Sequence, residues 1–309
     1  MGGGAIGQDN FETRSTCPVC SISSLRPFKQ STFEIRKISA DLIKITDSEY
    51  GKTWDLSQCT SCSHVFANPA PTPRFIQTLY SQVEDPLYED EAEGRGKNFT
   101  KILSRLEKIC PQKGTLFDVG AATGILIHLA RDRGWDADGI EPSSWAVKYA
   151  RENYGLNIKE GSFDEASLPS NHYAAVTMVD IVEHMSRPLE AVQKAFEILE
   201  AGGILCLVTP DIKSLAARIA GAKWWHFRPG HLGYFTAKSL QKLLDLTGFT
   251  IIKKKKYAWT FSAHYLFSRK KWLRFLIKNT RTALFWKKIS IKLALSDSME
   301  IYAKKDSGV

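Results

Sequence analysis

Four groups of residues have the types and spacing that chemistry needs. The first is a pair of knuckles, Cys17-Pro-Val-Cys20 and Cys59-Thr-Ser-Cys62, with 38 residues between them. Two Cys-x-x-Cys turns present the four thiolates of a tetrahedral zinc site, and disulfides are the competing use of the same thiols. The opening MGGGAIGQDNFETR lacks the apolar core of an export signal. That predicts a cytoplasmic, reducing setting, and so structural zinc at Cys17, Cys20, Cys59 and Cys62. The same opening has the glycine of a myristoylation start, but Ile6 stands where Ser or Thr is required. His64 follows closely enough to substitute as a ligand; with four cysteines present it reads as a surface or packing residue.

The second group lies in Leu116–Leu129, LFDVGAATGILIHL. Asp118 closes a short apolar strand. Gly120, Ala122 and Gly124 form a small-residue turn, and Ile125, Leu126 and Leu129 then recur at helical spacing. Strand, tight turn and helix let a backbone approach a ligand at a helix N-terminus. No Lys-Ser/Thr follows the glycines, so a polyphosphate cradle is not indicated. The third group is Asp138-Gly-Ile-Glu-Pro142-Ser, whose Glu141 stands at a strand end 23 positions after Asp118. A carboxylate at that distance suits ribose hydroxyls, so the ligand reads as a nucleoside without a polyphosphate tail.

The fourth group gathers acids and imidazoles: Asp180-Ile-Val-Glu183-His184, and His231 in Arg228-Pro-Gly-His-Leu-Gly-Tyr-Phe-Thr. Histidine is partly neutral at pH 7 and suits the removal of a hydroxyl proton. His231 and His184 are the candidate bases, in that order. Trp224-Trp-His226-Phe227 offers flat faces of the kind that stack on sugar rings. No carboxylate pair flanks these histidines closely, so metal-assisted chemistry is not expected.

Elements alternating along the chain must position these groups. Strands at 115–119, 136–141, 156–160, 173–179 and 203–208 alternate with helices at 125–133, 144–153 and 188–199. The alternation predicts an α/β fold, a doubly wound sheet whose ligand lies at the carboxyl ends of the strands. Thr236 is the expected N-cap of a further helix. Short strands are expected at 33–38 and 41–45 between the knuckles, as in a zinc ribbon.

DVGAATG followed by GIEPS resembles the class I S-adenosylmethionine-dependent methyltransferases, whose turn is usually D/E-x-G-x-G-x-G. Ala122 replaces the middle glycine here, which a turn of negative φ would tolerate. The resemblance implies a Rossmann-like seven-stranded sheet ending in an antiparallel hairpin. It implies S-adenosylmethionine held by Asp118, Gly120, Ala122, Gly124, Glu141 and Pro142. Ser162, with Phe163 packed on the ring, would meet adenine where the family usually has an acid, and Asp164 is the other candidate. Asp180 would lie near the methionine moiety, and Tyr88 and Arg95 would cap the cofactor. The Asn/Asp-Pro-Pro-aromatic signature of base N-methylation is absent, which points to an oxygen or carbon acceptor. A zinc ribbon closing on Asn68-Pro-Ala-Pro-Thr-Pro also resembles the N-terminal module of a subfamily that acts on sugars and surface polysaccharides.

The expected division is a zinc-ribbon-like module at 1–70, a helical linker or cofactor cap at 71–110, the methyltransferase domain at 111–260 and 296–305, and a basic helical insertion at 261–295. The chain carries a formal charge of +9. Residues 251–309 hold 15 Lys and Arg against 3 acids, a local +12, so the remainder is at −3. A glycan or small-molecule acceptor is expected, with O-methylation of a sugar hydroxyl as the leading reading and a phenol or quinone as an alternative. The basic stretch 253–292, with its bulky apolar residues, fits peripheral membrane contact. RNA methylation, and a scaffold with a decayed cofactor site, are the rival readings; the near-neutral body speaks against nucleic acid.

Overall fold

The computed structural model describes residues 8–46, 50–269 and 271–306. Ile6 of the glycine-rich start and Lys270 of the basic stretch lie outside the described residues.

Seven strands form the central sheet: β1 Thr115–Val119, β2 Asp136–Glu141, β3 Lys159–Glu160, β4 Tyr173–Val179, β5 Leu199–Pro210, β6 Phe249–Ser262 and β7 Ser290–Lys305. Their order is β6-β7-β5-β4-β1-β2-β3. Strands β1 to β5 run parallel, and β7 inserts antiparallel between β5 and β6. This is the Rossmann-like, doubly wound sheet that the alternation predicts. β4 reads YAAVTMV and is buried along nearly its whole length, as a strand covered on both faces must be. Two apolar clusters cover the two faces, one around Phe117, Val176 and Leu205, the other around Leu116, Ala175 and Cys206. Odd and even positions of the same strands thus face opposite layers.

Each crossover helix has a local reason to start where it does. Ser143 accepts from the backbone N–H of Ala146 and opens Ser144–Tyr154, which ends on left-handed Gly155. Thr236 caps Ala237–Leu246 in a reciprocal box with Ser239, as its position predicts.

The N-terminal module does not hang from a linker. Its strands Leu25–Lys29, Leu56–Cys59 and Val65–Ala67 are joined by Gly233–Tyr234, which arrives from the far end of the chain. Cys17, Cys59, Cys62 and Phe66 share an apolar cluster with Phe117 and Leu240 of the main domain. The expected strands at 33–38 and 41–45 are not strands. Ile35–Lys37 is a 3-10 turn and Ala40–Ile43 a helical turn. Ile38 and Ile43 lodge in the cluster around buried Trp54, so one-sided packing on an indole replaces the strand pairing that alternation suggested.

The C-terminal hairpin is longer than expected. β6 and β7 stay paired out to Ser262 and Ser290, because Trp259 and Phe261 stack along one arm. The helical part between them is therefore Ala263–Ser268, a 3-10 stretch at Lys271–Ile277, and Thr280–Lys288, rather than all of 261–295.

Candidate functional site

A cleft opens at the carboxyl ends of β1, β2 and β4, where a doubly wound sheet binds its ligands. Its empty space is about 1080 Å³ with the solvent at its mouth included, ample for a nucleoside and a second small molecule.

One wall is the turn after β1. Gly120 and Ala122 line the cleft, while Gly124 does not. All three have positive φ, at 70°, 47° and 83°. Ala122 therefore sits in the left-handed region, not in the negative-φ turn expected of an alanine, and carries backbone strain of about 1 kcal/mol. A Cβ on Gly120 would lie 2.1 Å from Ile181 Cδ1, and one on Gly124 2.6 Å from Leu156 Cδ1. Gly124 is thus a packing residue. Asp118 is also withdrawn from the wall: it accepts from Thr177 Oγ1 at 2.5 Å, and burial pushes its carboxyl up to about 7.

Glu141 faces the turn across the cleft floor. Its Oε2 accepts from Ala122 N at 2.8 Å and its Oε1 from Ser143 N at 2.9 Å. Burial pushes the carboxyl up to about 7 against these two lowering bonds. Each oxygen keeps a second lone pair, which is the capacity that a pair of ribose hydroxyls requires. Pro142, Ser162, Phe163 and Asp164 line the next part of the cleft. Phe163 leans on Phe117, and Ser162 Oγ accepts from Asp164 N. Tyr88 lines the cleft from above, with the Arg95 guanidinium 3.7 Å over its ring. Arg95 itself is not on the wall.

Opposite, Asp180 and His184 line the cleft. Asp180 has φ 55°, its Oδ1 lacks a partner among the described residues, and burial pushes its carboxyl up to about 7. Two non-glycine residues in the left-handed region, Ala122 and Asp180, thus face one cleft, the usual place for stored strain. His184 Nδ1 is 2.6 Å from the hydroxyl of Tyr80, and burial drives the imidazole down to about 3, so it is neutral. His231 is not on the wall. It is 5% exposed and lies behind His184, ring centroids 4.6 Å apart, so of these two imidazoles only His184 reaches the cleft. Glu183 is buried beside them, one oxygen held by Thr209 and the other without a partner among the described residues. Donor atoms of Glu183, His184 and His231 fall within 4.8 Å of one another, a juxtaposition of carboxylate and imidazoles that sequence spacing did not show.

The aromatic run is also withdrawn. Trp224 and Phe227 are buried against Tyr234, and none of Trp224 to Phe227 lines the cleft. They pin the N-terminal module in place and present no platform for a sugar ring. The cleft's apolar wall is instead Ile43 and Ile45 of the N-terminal module, Pro73, Ile76 and Tyr80 of the helix Pro73–Ser81, and Met185. Sequence reasoning missed this wall. The one signal was Tyr80, whose hydroxyl on an otherwise apolar helical face needed a partner.

The cysteines converge as their spacing predicts. The Sγ atoms of Cys17, Cys20, Cys59 and Cys62 all lie within 4.8 Å, with Cys17–Cys62 and Cys20–Cys59 at 3.6 Å. All four are free thiols. Zinc–sulfur bonds of 2.3 Å in a tetrahedron put the sulfurs about 3.8 Å apart, so the set fits the ion. His64 is fully buried between Phe66 and Phe235 and is a packing residue.

Sheet order, small-residue turn and acidic strand end together define a Rossmann-like α/β protein with a cleft at the carboxyl ends of its strands. The family model described as "Methyltransferase domain" matches residues 92–254, more than half of the chain, and the chain belongs to that family. It is 23% identical over 151 residues to a probable S-adenosylmethionine-dependent methyltransferase of Mycolicibacterium smegmatis, covering 48% of this chain and 57% of that protein. It is 28% identical over 116 residues to a ubiquinone biosynthesis O-methyltransferase of Cereibacter sphaeroides, covering 35% and 47%. The chain thus spans about half the length of these curated relatives. Phosphoethanolamine N-methyltransferase 2 of Haemonchus contortus, solved with S-adenosyl-L-methionine, superposes with TM-score 0.50 at 14% identity over 78% of this chain and 63% of that one; that likeness is one of fold.

Proposed function

We propose that the chain is an S-adenosylmethionine-dependent methyltransferase acting on a hydroxyl of a small, largely apolar acceptor. The observation that carries this reading is a single cleft with Glu141 and the strained turn on one side and the apolar wall with the Tyr80–His184 pair on the other. The curated ubiquinone-biosynthesis relatives act as O-methyltransferases by name, which agrees with it. The sugar reading loses its aromatic platform to the core.

When bound, S-adenosylmethionine supplies an electrophilic methyl group for in-line displacement. Glu141 holds the ribose hydroxyls with the lone pairs its backbone donors leave free. Ser162 and Phe163 face the adenine, and Asp180 and Tyr88 enclose the methionine end. The apolar wall excludes water and fixes the acceptor, which supplies most of the rate by alignment. Tyr80, hydrogen-bonded to His184 Nδ1, relays the proton: its hydroxyl takes the acceptor's proton as its own passes to the imidazole, the member of the pair that ends protonated. The four thiolates hold a structural zinc ion that ties the module's two knuckles together.

Labelled S-adenosylmethionine offered with hydroxylated phenols and quinols, nucleotide sugars and total RNA tests the acceptor. Label in the phenol fraction is expected. Label confined to sugars or RNA would overturn the apolar-acceptor reading, and no heat on titration with S-adenosylmethionine would overturn the enzyme reading itself.

A further inference from the structure

Between Ala263 and Ser296 the sequence holds nine Lys and Arg and no Asp or Glu. A run of that kind on a soluble face is ordinarily accompanied by polar neighbours. Here the large apolar side chains are exposed as well: Trp272 at 72%, Phe275 at 62%, Leu284 and Phe285 at 57%. Arg274, Lys278, Arg281 and Lys288 are exposed among them. The insertion is short broken helix, and no helix among the described residues is long and apolar enough to cross a membrane.

The insertion is fastened to the rim of the cleft. Arg269 donates to the carbonyl of Thr46, which follows the wall residue Ile45. Lys287 pairs with Asp90 at 3.0 Å, two residues from the capping Tyr88. The lower hairpin is anchored too, since both oxygens of Glu91 accept from Ser262, through its backbone N–H and its hydroxyl. Two more exposed apolar side chains, Ile45 at 42% and Leu87 at 58%, stand on that same rim.

We propose that residues 263–289, together with the cleft rim, form a surface that docks on an anionic lipid bilayer and holds the cleft mouth at the membrane. Apolar side chains that enter the acyl boundary, ringed by cations that meet anionic headgroups, are the features of an interfacial element. Nucleic acid answers to the cations but gives Leu284, Ile45 and Leu87 nothing to bury in. The arrangement rests on the apolar-acceptor reading only for its purpose, the capture of a membrane-dissolved acceptor; the docking itself does not depend on it.

The full chain is sedimented with phosphatidylcholine vesicles and with phosphatidylcholine–phosphatidylglycerol vesicles, at low and high salt. Binding to the phosphatidylglycerol vesicles, weakened by salt, is expected. The Trp272→Ser/Phe285→Ser variant is expected to lose on the order of 100-fold in affinity, about tenfold per side chain. Arg274→Glu/Arg281→Glu, a variant that leaves the apolar side chains intact, is expected to lose preference for phosphatidylglycerol. Unchanged S-adenosylmethionine affinity in both variants separates docking from the cofactor site. Absence of vesicle binding, binding indifferent to both variants, salt-sensitive binding of RNA instead, or concentration-dependent dimerisation abolished by Trp272→Ser/Phe285→Ser would each overturn the proposal.

Discussion

The carboxylate of Glu141 makes a pH experiment decisive. In the free protein burial holds it at about 7, against an ordinary value of 4.5. The ribose reading needs the ionised form, since both oxygens already accept a backbone N–H and must accept again. From pH 8 to pH 6 the ionised fraction falls from about nine-tenths to about one-tenth, so cofactor affinity should weaken about tenfold. Stability of the free protein runs the opposite way. The folded chain keeps the proton between pH 4.5 and 7 where the unfolded chain releases it, so this group's contribution falls as pH rises, by as much as about 3 kcal/mol. Glu141→Gln removes the titration and leaves one buried N–H facing an amide donor, a cost of about 1–3 kcal/mol. Its cofactor affinity should drop roughly 10- to 150-fold at pH 8, the equivalent of one charged hydrogen bond, and lose the tenfold pH dependence that Glu141 contributes, leaving only what Asp180 adds. Calorimetry with S-adenosylmethionine at both pH values, on both proteins, reads these numbers. Equal wild-type affinity at pH 6 and pH 8, or a Gln variant that binds as well as wild type, would refute the assignment.

Five further substitutions have defined outcomes. Ala122→Gly relieves a left-handed alanine at φ 47°; after the entropy that glycine adds to the unfolded chain, a net gain of about 0.5 kcal/mol is expected, and a lower melting temperature would contradict the strain. Cys59→Ser should release zinc measured by elemental analysis and destabilise the N-terminal module; wild-type protein free of zinc after expression in zinc-supplemented medium would end the structural-zinc reading. His184→Ala and Tyr80→Phe should leave cofactor affinity intact while lowering turnover, the histidine change by roughly 10²–10⁴-fold. His231→Ala should act through stability more than through kcat, because its ring packs behind His184; a full catalytic loss in a stably folded His231 variant would reverse the order of the two.

The cofactor half of the cleft was legible in the sequence because its determinants are local. A strand, a turn and a helix start lie within Thr115–Ile125, and Glu141 follows at the end of the next strand. Thr236 and the four cysteines were legible for the same reason: a cap or a knuckle is closed by residues a few positions away. The acceptor half was not. Ile43, Ile76 and Tyr80 are held at the cleft by contacts across more than half of the chain, among them the pairing of Gly233–Tyr234 with Val65–Phe66 and the bonds of Arg228 to the carbonyls of Lys44 and Ile45. Periodicity reports which side of a segment is apolar and leaves open which neighbour covers it. Trp224 therefore read as a ligand platform although it packs on Tyr234, and the sequence did not show that Asp118 stands behind the cleft wall with one oxygen held by Thr177.

That long-range pairing has a consequence for exchange between relatives. The N-terminal segment supplies most of the acceptor wall, so it is the natural piece to transplant when a new acceptor is wanted. A chimera cut after the helix Pro73–Ser81 alone would leave out one of the sheet's four strands, because the edge partner at Gly233–Tyr234 stays with the recipient. A graft must therefore carry two discontinuous pieces, and a lineage that retailored its acceptor would have had to alter both together.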